Sequence, residues 1–96
     1  MAHYFSAQIR IHNPEEYDRY LESFDDIFSM HKGTIIAVDE SPTVLEGEWQ
    51  YTKSVLIRFN TRKDFEDWYF SRDYQEIIKY RLNAAKCDTI LIEGYE

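Results

Sequence analysis

Arg81 follows Tyr74 by seven residues, so Tyr74, Ile77, Ile78, Arg81 and Leu82 fall on one apolar stripe of a helix. A guanidinium on such a stripe cannot give up its charge. It has to meet a carboxylate or reach water along its own stem. Two roles are open to it. It could hold the carboxylate of a small molecule through a two-pronged hydrogen bond, or fix helix to sheet through a salt bridge to Glu46 or Glu93. The residues by themselves favour the structural role. Just upstream, the run Trp68-Tyr69-Phe70-Ser71-Arg72-Asp73-Tyr74 concentrates aromatic rings. Trp68, Tyr69 and Tyr74 could wall a pocket at a break in the helix, although aromatics at helical spacing read first as core. Trp49, shortly after Gly47 in a turn, is a better candidate for a pocket rim or a dimer contact.

Other chemistries find less support. His3, His12 and His31 lack the spacing of metal ligands, and no His-x-x-x-His pair accompanies them. His31 reads as a charge near a helix C-terminus, with haem ligand or general base as the lesser alternative. Cys87 is the single cysteine, which excludes an internal disulfide, and it reads as a small buried hydrophobe rather than a nucleophile. Glu15-Glu16 and Asp25-Asp26 look like solvated helix faces. The sequence contains no glycine-rich phosphate loop, serine triad or Cys-x-x-Cys pair, so no cofactor and no metal site is expected.

These residues must be positioned by a small frame. Ninety-six residues make one domain, expected to span 1–96. Aromatics make up 17% of the chain, more than so small a core easily hides, which points to a pocket or a partner surface. The 18 acidic residues outnumber the 11 basic ones, and a net charge of −7 argues against nucleic acid and anionic membranes as partners. The first ten residues do not resemble a signal peptide, and no window approaches a membrane span. A soluble cytoplasmic protein is the expectation.

Alternation over Tyr4 to Ile11 predicts a half-buried strand. Asn13-Pro14-Glu15-Glu16 opens a helix with a cap, a first-turn proline and two carboxylates at the positive end of the dipole. Tyr17, Tyr20, Leu21, Phe24, Ile27 and Phe28 give it an apolar face, and His31-Lys32-Gly33 is expected to close it. Residues 34–45 read as one long or broken second strand, interrupted over Asp39-Glu40-Ser41-Pro42 with its bend at Pro42, and Ser54 to Asn60 as a third. Thr61 with Asp64 resembles a capping box ahead of a short helix. Ser71 should cap a second helical segment running to about Lys86, and Thr89 to Gly94 forms the last strand. The order β-α-β-β-α-β, with the second helix broken in two, predicts an α+β fold of the ferredoxin-like kind: an antiparallel sheet with helices on one face.

The strongly apolar register (Phe5, Ala7, Ile9 and Ile11; Val55, Ile57 and Phe59; Ile90 and Ile92) is expected to face the helices. The opposite register, with Tyr4, Ser6, Gln8, Arg10, Leu56, Arg58, Thr89, Leu91 and Glu93, is mixed. It suits either a solvated sheet face or a face that meets its symmetry mate around a wet cavity. In the second case Gln8, Arg10, Arg58 and Glu93 would supply polar contacts.

The set Asn13-Pro14-Glu15-x-Tyr17-x-x-Tyr20, Leu45-Glu46-Gly47-x-Trp49, Trp68-Tyr69-x-Ser71-x-x-Tyr74, Arg81, Ala84-Ala85 and Ile92-Glu93-Gly94 is similar, in order and spacing, to a small bacterial family of unknown function. That family belongs to the dimeric α/β-barrel superfamily. The chain departs from its pattern at Arg72, Asn60-Thr61 and Cys87. The resemblance implies a homodimer of ferredoxin-like subunits whose sheets face each other, and no particular reaction. Relatives in the superfamily include cofactor-free monooxygenases, lactone isomerases, haem-degrading enzymes and ligand binders. The expectation is therefore a homodimer holding a small organic molecule, anionic or carbonyl-bearing, with cofactor-independent acid–base chemistry if it is an enzyme. The alternatives are a non-catalytic carrier or dimerisation module and a haem-binding protein. The candidate pocket comprises Gln8, Arg10, Glu46, Trp49, Arg58, Trp68, Tyr69, Tyr74, Arg81 and Glu93.

Overall fold

The computed structural model describes residues 1–95. Its elements run β1 (His3–Ile11), α1 (Pro14–Phe28), β2 (Gly33–Asp39), β3 (Lys53–Phe59), α2 (Arg62–Tyr69), α3 (Arg72–Ala84) and β4 (Ala85–Glu93). The four strands form one antiparallel sheet in the order β2-β3-β1-β4, and the helices lie on one side of it. This is the ferredoxin-like α+β arrangement expected from the pattern.

The helix starts follow their capping residues. The Asn13 side chain accepts a hydrogen bond from the Glu16 amide at 3.2 Å, with Pro14 in the first turn. Thr61 does the same for the Asp64 amide at 3.1 Å. Ser71 makes the break between α2 and α3. Its hydroxyl donates to the Trp68 carbonyl at 2.8 Å, closing one helix, and accepts from the Tyr74 amide at 3.2 Å, opening the next. That single side chain sets Trp68 against Tyr74, their ring centroids 4.3 Å apart and their planes tilted by 42°.

Four local expectations are corrected. First, α1 ends at Phe28, and Gly33 begins β2 rather than stopping a helix. A Cβ on Gly33 would lie 2.6 Å from the Phe28 ring and 2.7 Å from the Phe59 ring, so the glycine answers to crowding. Second, residues 40–52 form no strand, because β2 leaves the sheet at Asp39, opposite Ser54. Third, α3 stops at Ala84 and β4 begins at Ala85, four residues earlier than the alternation indicated. The whole length of β1 pairs with it, from Ile11 opposite Ala85 to His3 opposite Glu93.

Fourth, the register of β4 is the reverse of the one expected. Leu91 pairs with Phe5 and Thr89 with Ala7, so Cys87, Thr89, Leu91 and Glu93 share the helix-facing side, while Ile90 and Ile92 face away. Apolar content misled here because Ile90 and Ile92 belong to a second apolar surface; they are 60% and 45% exposed.

Among the described residues, the core draws on every element except β2. At that edge Ile35 and Val38 are 41% and 52% exposed although they lie on the helix side, opposite Ile57 and Val55. A register irregularity between Ile35 and Ala37 sets Ile36 out of the ladder, as a β-bulge does. The helix layer thus stops short of β2 and leaves a trough beside α1.

Gly33→Ala should lower the stability of the fold by about 1–3 kcal/mol through overpacking of the Phe28 and Phe59 rings. Urea denaturation reads this directly, and an unchanged midpoint would mean that the rings can move aside.

Candidate functional site

The trough deepens into a cavity of about 220 Å³ between α1 and the sheet. Its walls are largely apolar: Phe5, Ala7 and Ile9 of β1, Leu21 and Phe24 of α1, Val55 and Ile57 of β3, and Ile35 and Val38 at the β2 edge. Into this lining come Tyr17, Tyr20 and the exposed carboxylate Asp25 from α1, Lys53 from β3, Trp68 from α2 and Arg81 from α3. A second hollow lined by Pro14, Asp18, Glu40 and Thr52 shares Tyr17, Leu21 and Lys53 with the first and forms its mouth.

The polar groups here are mostly donors. Arg81 is 3% exposed, and its Nη1 has no hydrogen-bond partner. Trp68 is fully buried and its indole Nε1 is likewise unpartnered. The Tyr20 and Tyr74 hydroxyls share one hydrogen bond at 2.7 Å, which uses one of their two protons and leaves the other to donate elsewhere. Lys53, 8% exposed, holds its ammonium 4.8 Å from the Tyr17 ring centre. An unpaired buried donor costs about 1–3 kcal/mol, and more when charged. Two residues of the lining thus hold buried donors that lack acceptors.

Burial pushes the Tyr17 phenol up to about 12 against the pull of Arg81, and it raises Tyr20 and Tyr74 as well. All three stay protonated at neutral pH, so none can serve as counter-ion to Arg81. The guanidinium lies beside the Tyr74 phenol, the Tyr20 ring at 5.8 Å and the Cys87 thiol. Burial works against its charge, and its pKa is raised only through the ionised forms of these neighbours, which the phenols reach in strong alkali and not at neutral pH. Burial lowers the Lys53 pKa, and the Glu40 carboxylate partly offsets that.

The ion pairs among the described residues are Arg62–Glu66 and Lys63–Asp67, both on the outside of α2. Neither Arg81 nor Lys53 is neutralised by a carboxylate at contact distance. Cys87, Ile9 and Lys53 form one row across β4, β1 and β3, and two strand spacings put the ends of that row about 10 Å apart. Two buried like charges flanking one apolar space repel each other. An anion between them would reverse the sign of that interaction.

The structure brings Trp68, Tyr74 and Arg81 together, with Tyr74 just behind the wall on Tyr20. Tyr69 packs on Phe5 and Phe65 with centroids 5.7 and 5.3 Å away, outside the cavity lining. Gln8, Arg10 and Arg58 lie on the other side of the sheet. There Gln8 accepts from Ser54 at 2.7 Å, Arg10 donates to Gln50 at 3.3 Å and Arg58 donates to Asn60 at 2.6 Å. Glu46 and Trp49 line a separate hollow in the 42–49 loop. Glu93 ends β4 opposite His3, exposed and on the helix-facing register. No salt bridge from Arg81 to Glu46 or Glu93 is formed. No histidine lines the cavity, and among the described residues no group of three His, Cys, Asp or Glu side chains is placed to hold a metal ion.

Tyr17, Tyr20 and Lys53 are polar lining residues that sequence reasoning did not single out, and Asp25, read as part of a solvated helix face, is exposed and also borders the cavity. The tyrosines were legible only as part of the apolar face of α1. Lys53 carried a signal: extending the Val55-Ile57-Phe59 register back by two residues places it inward.

Two outcomes follow from this geometry. Arg81→Met should stabilise the free protein by about 1 kcal/mol or more, because it removes an uncompensated buried charge while keeping the bulk; thermal unfolding checks this, and a large loss of stability would assign Arg81 a structural role. Tyr17 ionises near 10 in the unfolded chain and at about 12 in the fold. Stability should thus be complete below pH ~10 and fall by on the order of 2–3 kcal/mol as pH rises towards 12. Tyr17→Phe should flatten that fall in a pH series of denaturation curves.

The comparisons with known proteins agree with the fold. A protein of unknown function from Rhodopseudomonas palustris superposes with a TM-score of 0.81 at 15% identity, covering 99% of this chain and 83% of that one. SnoaB from Streptomyces nogalater, described as a cofactor-independent oxygenase, superposes with a TM-score of 0.70 at 9% identity, covering 99% and 94%. A dimeric ferredoxin-like protein of unknown function from Jannaschia sp. CCS1 gives 0.74 at 12% identity, covering 98% and 100%. No curated protein matches the chain in sequence. No helix among the described residues is long and apolar enough to cross a membrane. Residues 2–95 match a single family along nearly the full length of the sequence, and the chain belongs to that family, the domain of unknown function DUF1330.

Proposed function

We infer that the protein is a homodimer that binds a small organic anion, a carboxylate or an enolate on an apolar or aromatic body, in the cavity beneath α1. The observation that carries this reading is the pair of unpartnered buried donors, Arg81 Nη1 and Trp68 Nε1, on residues lining one cavity. An acceptor-rich ligand group would satisfy both and neutralise the guanidinium, while the Phe5, Phe24 and Ile57 walls take the apolar body.

The dimer reading rests on the other side of the sheet. Ile90 and Ile92 are exposed there, and the 43–49 loop adds Val44, Leu45 and Trp49, exposed by 45%, 88% and 40%. Apolar side chains in such number suit a partner better than water. The Jannaschia protein, described as dimeric, has the same fold. A second copy packed sheet to sheet would leave the cavity on the helix side of each subunit.

A catalytic use of the same cavity is the second reading, favoured by the likeness to SnoaB. The donors that hold a carboxylate would equally stabilise the oxyanion of an enolate as it forms, without a cofactor. Tyr17, Tyr20 and Arg81 would then polarise a carbonyl oxygen.

Calorimetric titration with benzoate tests the binding reading. Saturable binding that disappears in Arg81→Met supports it, and identical isotherms for the two proteins would end it. Native mass spectrometry tests the assembly: a dimer is expected for the natural chain and a folded monomer for Ile90→Arg, whereas a monomeric natural chain would make the open sheet face a solvated surface.

A further inference from the structure

The cavity holds a second cation that a single carboxylate leaves unanswered. Lys53 reaches it from the first residue of β3, with more than nine-tenths of its surface buried, and its ammonium rests over the Tyr17 ring. Arg81 occupies the opposite side, over the Tyr20 ring, and the two rings are neighbours with centroids 5.6 Å apart. Neither cation has a carboxylate within ion-pair distance among the described residues. The row Cys87, Ile9, Lys53 crosses three strands, so Lys53 starts about two strand spacings, roughly 10 Å, from Cys87, the thiol beside Arg81.

Two buried like charges facing one apolar space are a poor arrangement for a ligand with one charge. Seating a single anion on Arg81 satisfies that end and leaves Lys53 buried without an ion-pair partner. Glu40 and Asp18 line the adjoining hollow with it and Asp25 lines the cavity, all three exposed; none is within ion-pair distance, and Glu40 attracts the ammonium from beyond contact. We propose that the cavity is built for a molecule carrying two anionic groups on a flat apolar spacer, one group on Arg81 and the other on Lys53. Lys53 then determines specificity: it separates dianions from monoanions of the same shape, while Glu40 competes with the ligand's second anion. This rests on the reading of the cavity as an anion site and narrows it to a ligand class.

The test uses pairs of probes that differ in charge and little else: isophthalate, terephthalate and naphthalene-2,6-dicarboxylate, each against its monomethyl ester, titrated calorimetrically into the full chain. At least one diacid should bind tenfold or more tightly than its ester. Lys53→Met should bring that ratio to about one, Lys53→Arg should preserve it, and Glu40→Gln should raise it. Circular dichroism and thermal unfolding of each variant separate loss of preference from loss of fold. Equal affinity of diacid and ester across all three pairs would overturn the proposal while leaving the anion site standing. A preference that survives Lys53→Met would also overturn it. Absence of binding by benzoate, diacids and esters alike would bring down the anion-site reading and this proposal together.

Discussion

The Trp68 indole is where the parts of this molecule meet. Its ring stacks on Phe59 of β3 at 5.5 Å, meets Phe5 of β1 and Phe28 of α1 edge-on at 5.5 Å each, and leans on Tyr74 of α3 at 4.3 Å. Five elements, α2 included, are thus referred to one rigid ring. It can stand there because α2 ends directly after it, at the Ser71 break. Had the helix run on unbroken, Tyr74 could not turn back to face Trp68. The hydrogen bond from Tyr74 to Tyr20, and with it the spacing of α1 from α3, would have no fixed end.

The same arrangement explains why the protein tolerates an expensive site. Aromatic contacts among Phe28, Phe59 and Phe65, none of which lines the cavity, stabilise the fold behind it. A buried guanidinium without a counter-ion and an idle indole N–H are both destabilising. They persist at the border of that cluster, where the helix layer ends short of β2 and the surplus of donors lines an opening. Placing the cost beside the strongest packing, and away from the other edge of the sheet, lets fold and site coexist in 96 residues.

Much of the architecture was legible in the pattern of residues. Alternation marked β1 and β3, and capping side chains at Asn13, Thr61 and Ser71 marked all three helix starts, because those signals are local and each has one physical cause. The β4 register was not legible. Ile90 and Ile92 are apolar for a surface outside the core, and alternation does not say which apolar surface a residue serves. The site was half legible. The stripe holding Tyr74 and Arg81 could be read from helical spacing, but the absence of a carboxylate near Arg81 is a fact of three dimensions. Tyr17, Tyr20 and Lys53 joined it through the crossing of α1 over β3, which no short window of sequence contains. Alternation had already set Gln8, Arg10 and Arg58 on the face away from the helices, and the sheet separates them from the aromatics with which one candidate pocket had joined them.

That sheet is one residue thick, and the arithmetic of its pleat divides the chain in an unusual way. Along β1, β3 and β4 the odd-numbered residues look toward the cavity and the even-numbered ones toward the opposite surface. On β2 the register irregularity at Ile36 exchanges the two parities, so that Val38 rather than an odd neighbour returns to the cavity side. The lining of the cavity and the opposite surface are therefore written in interleaved letters of the same segments. A change at Ile9 can reshape one without altering Gln8 or Arg10, which serve the other. Single-residue substitutions can tune either surface separately, whereas inserting or deleting one residue within a strand would trade the two surfaces at a stroke.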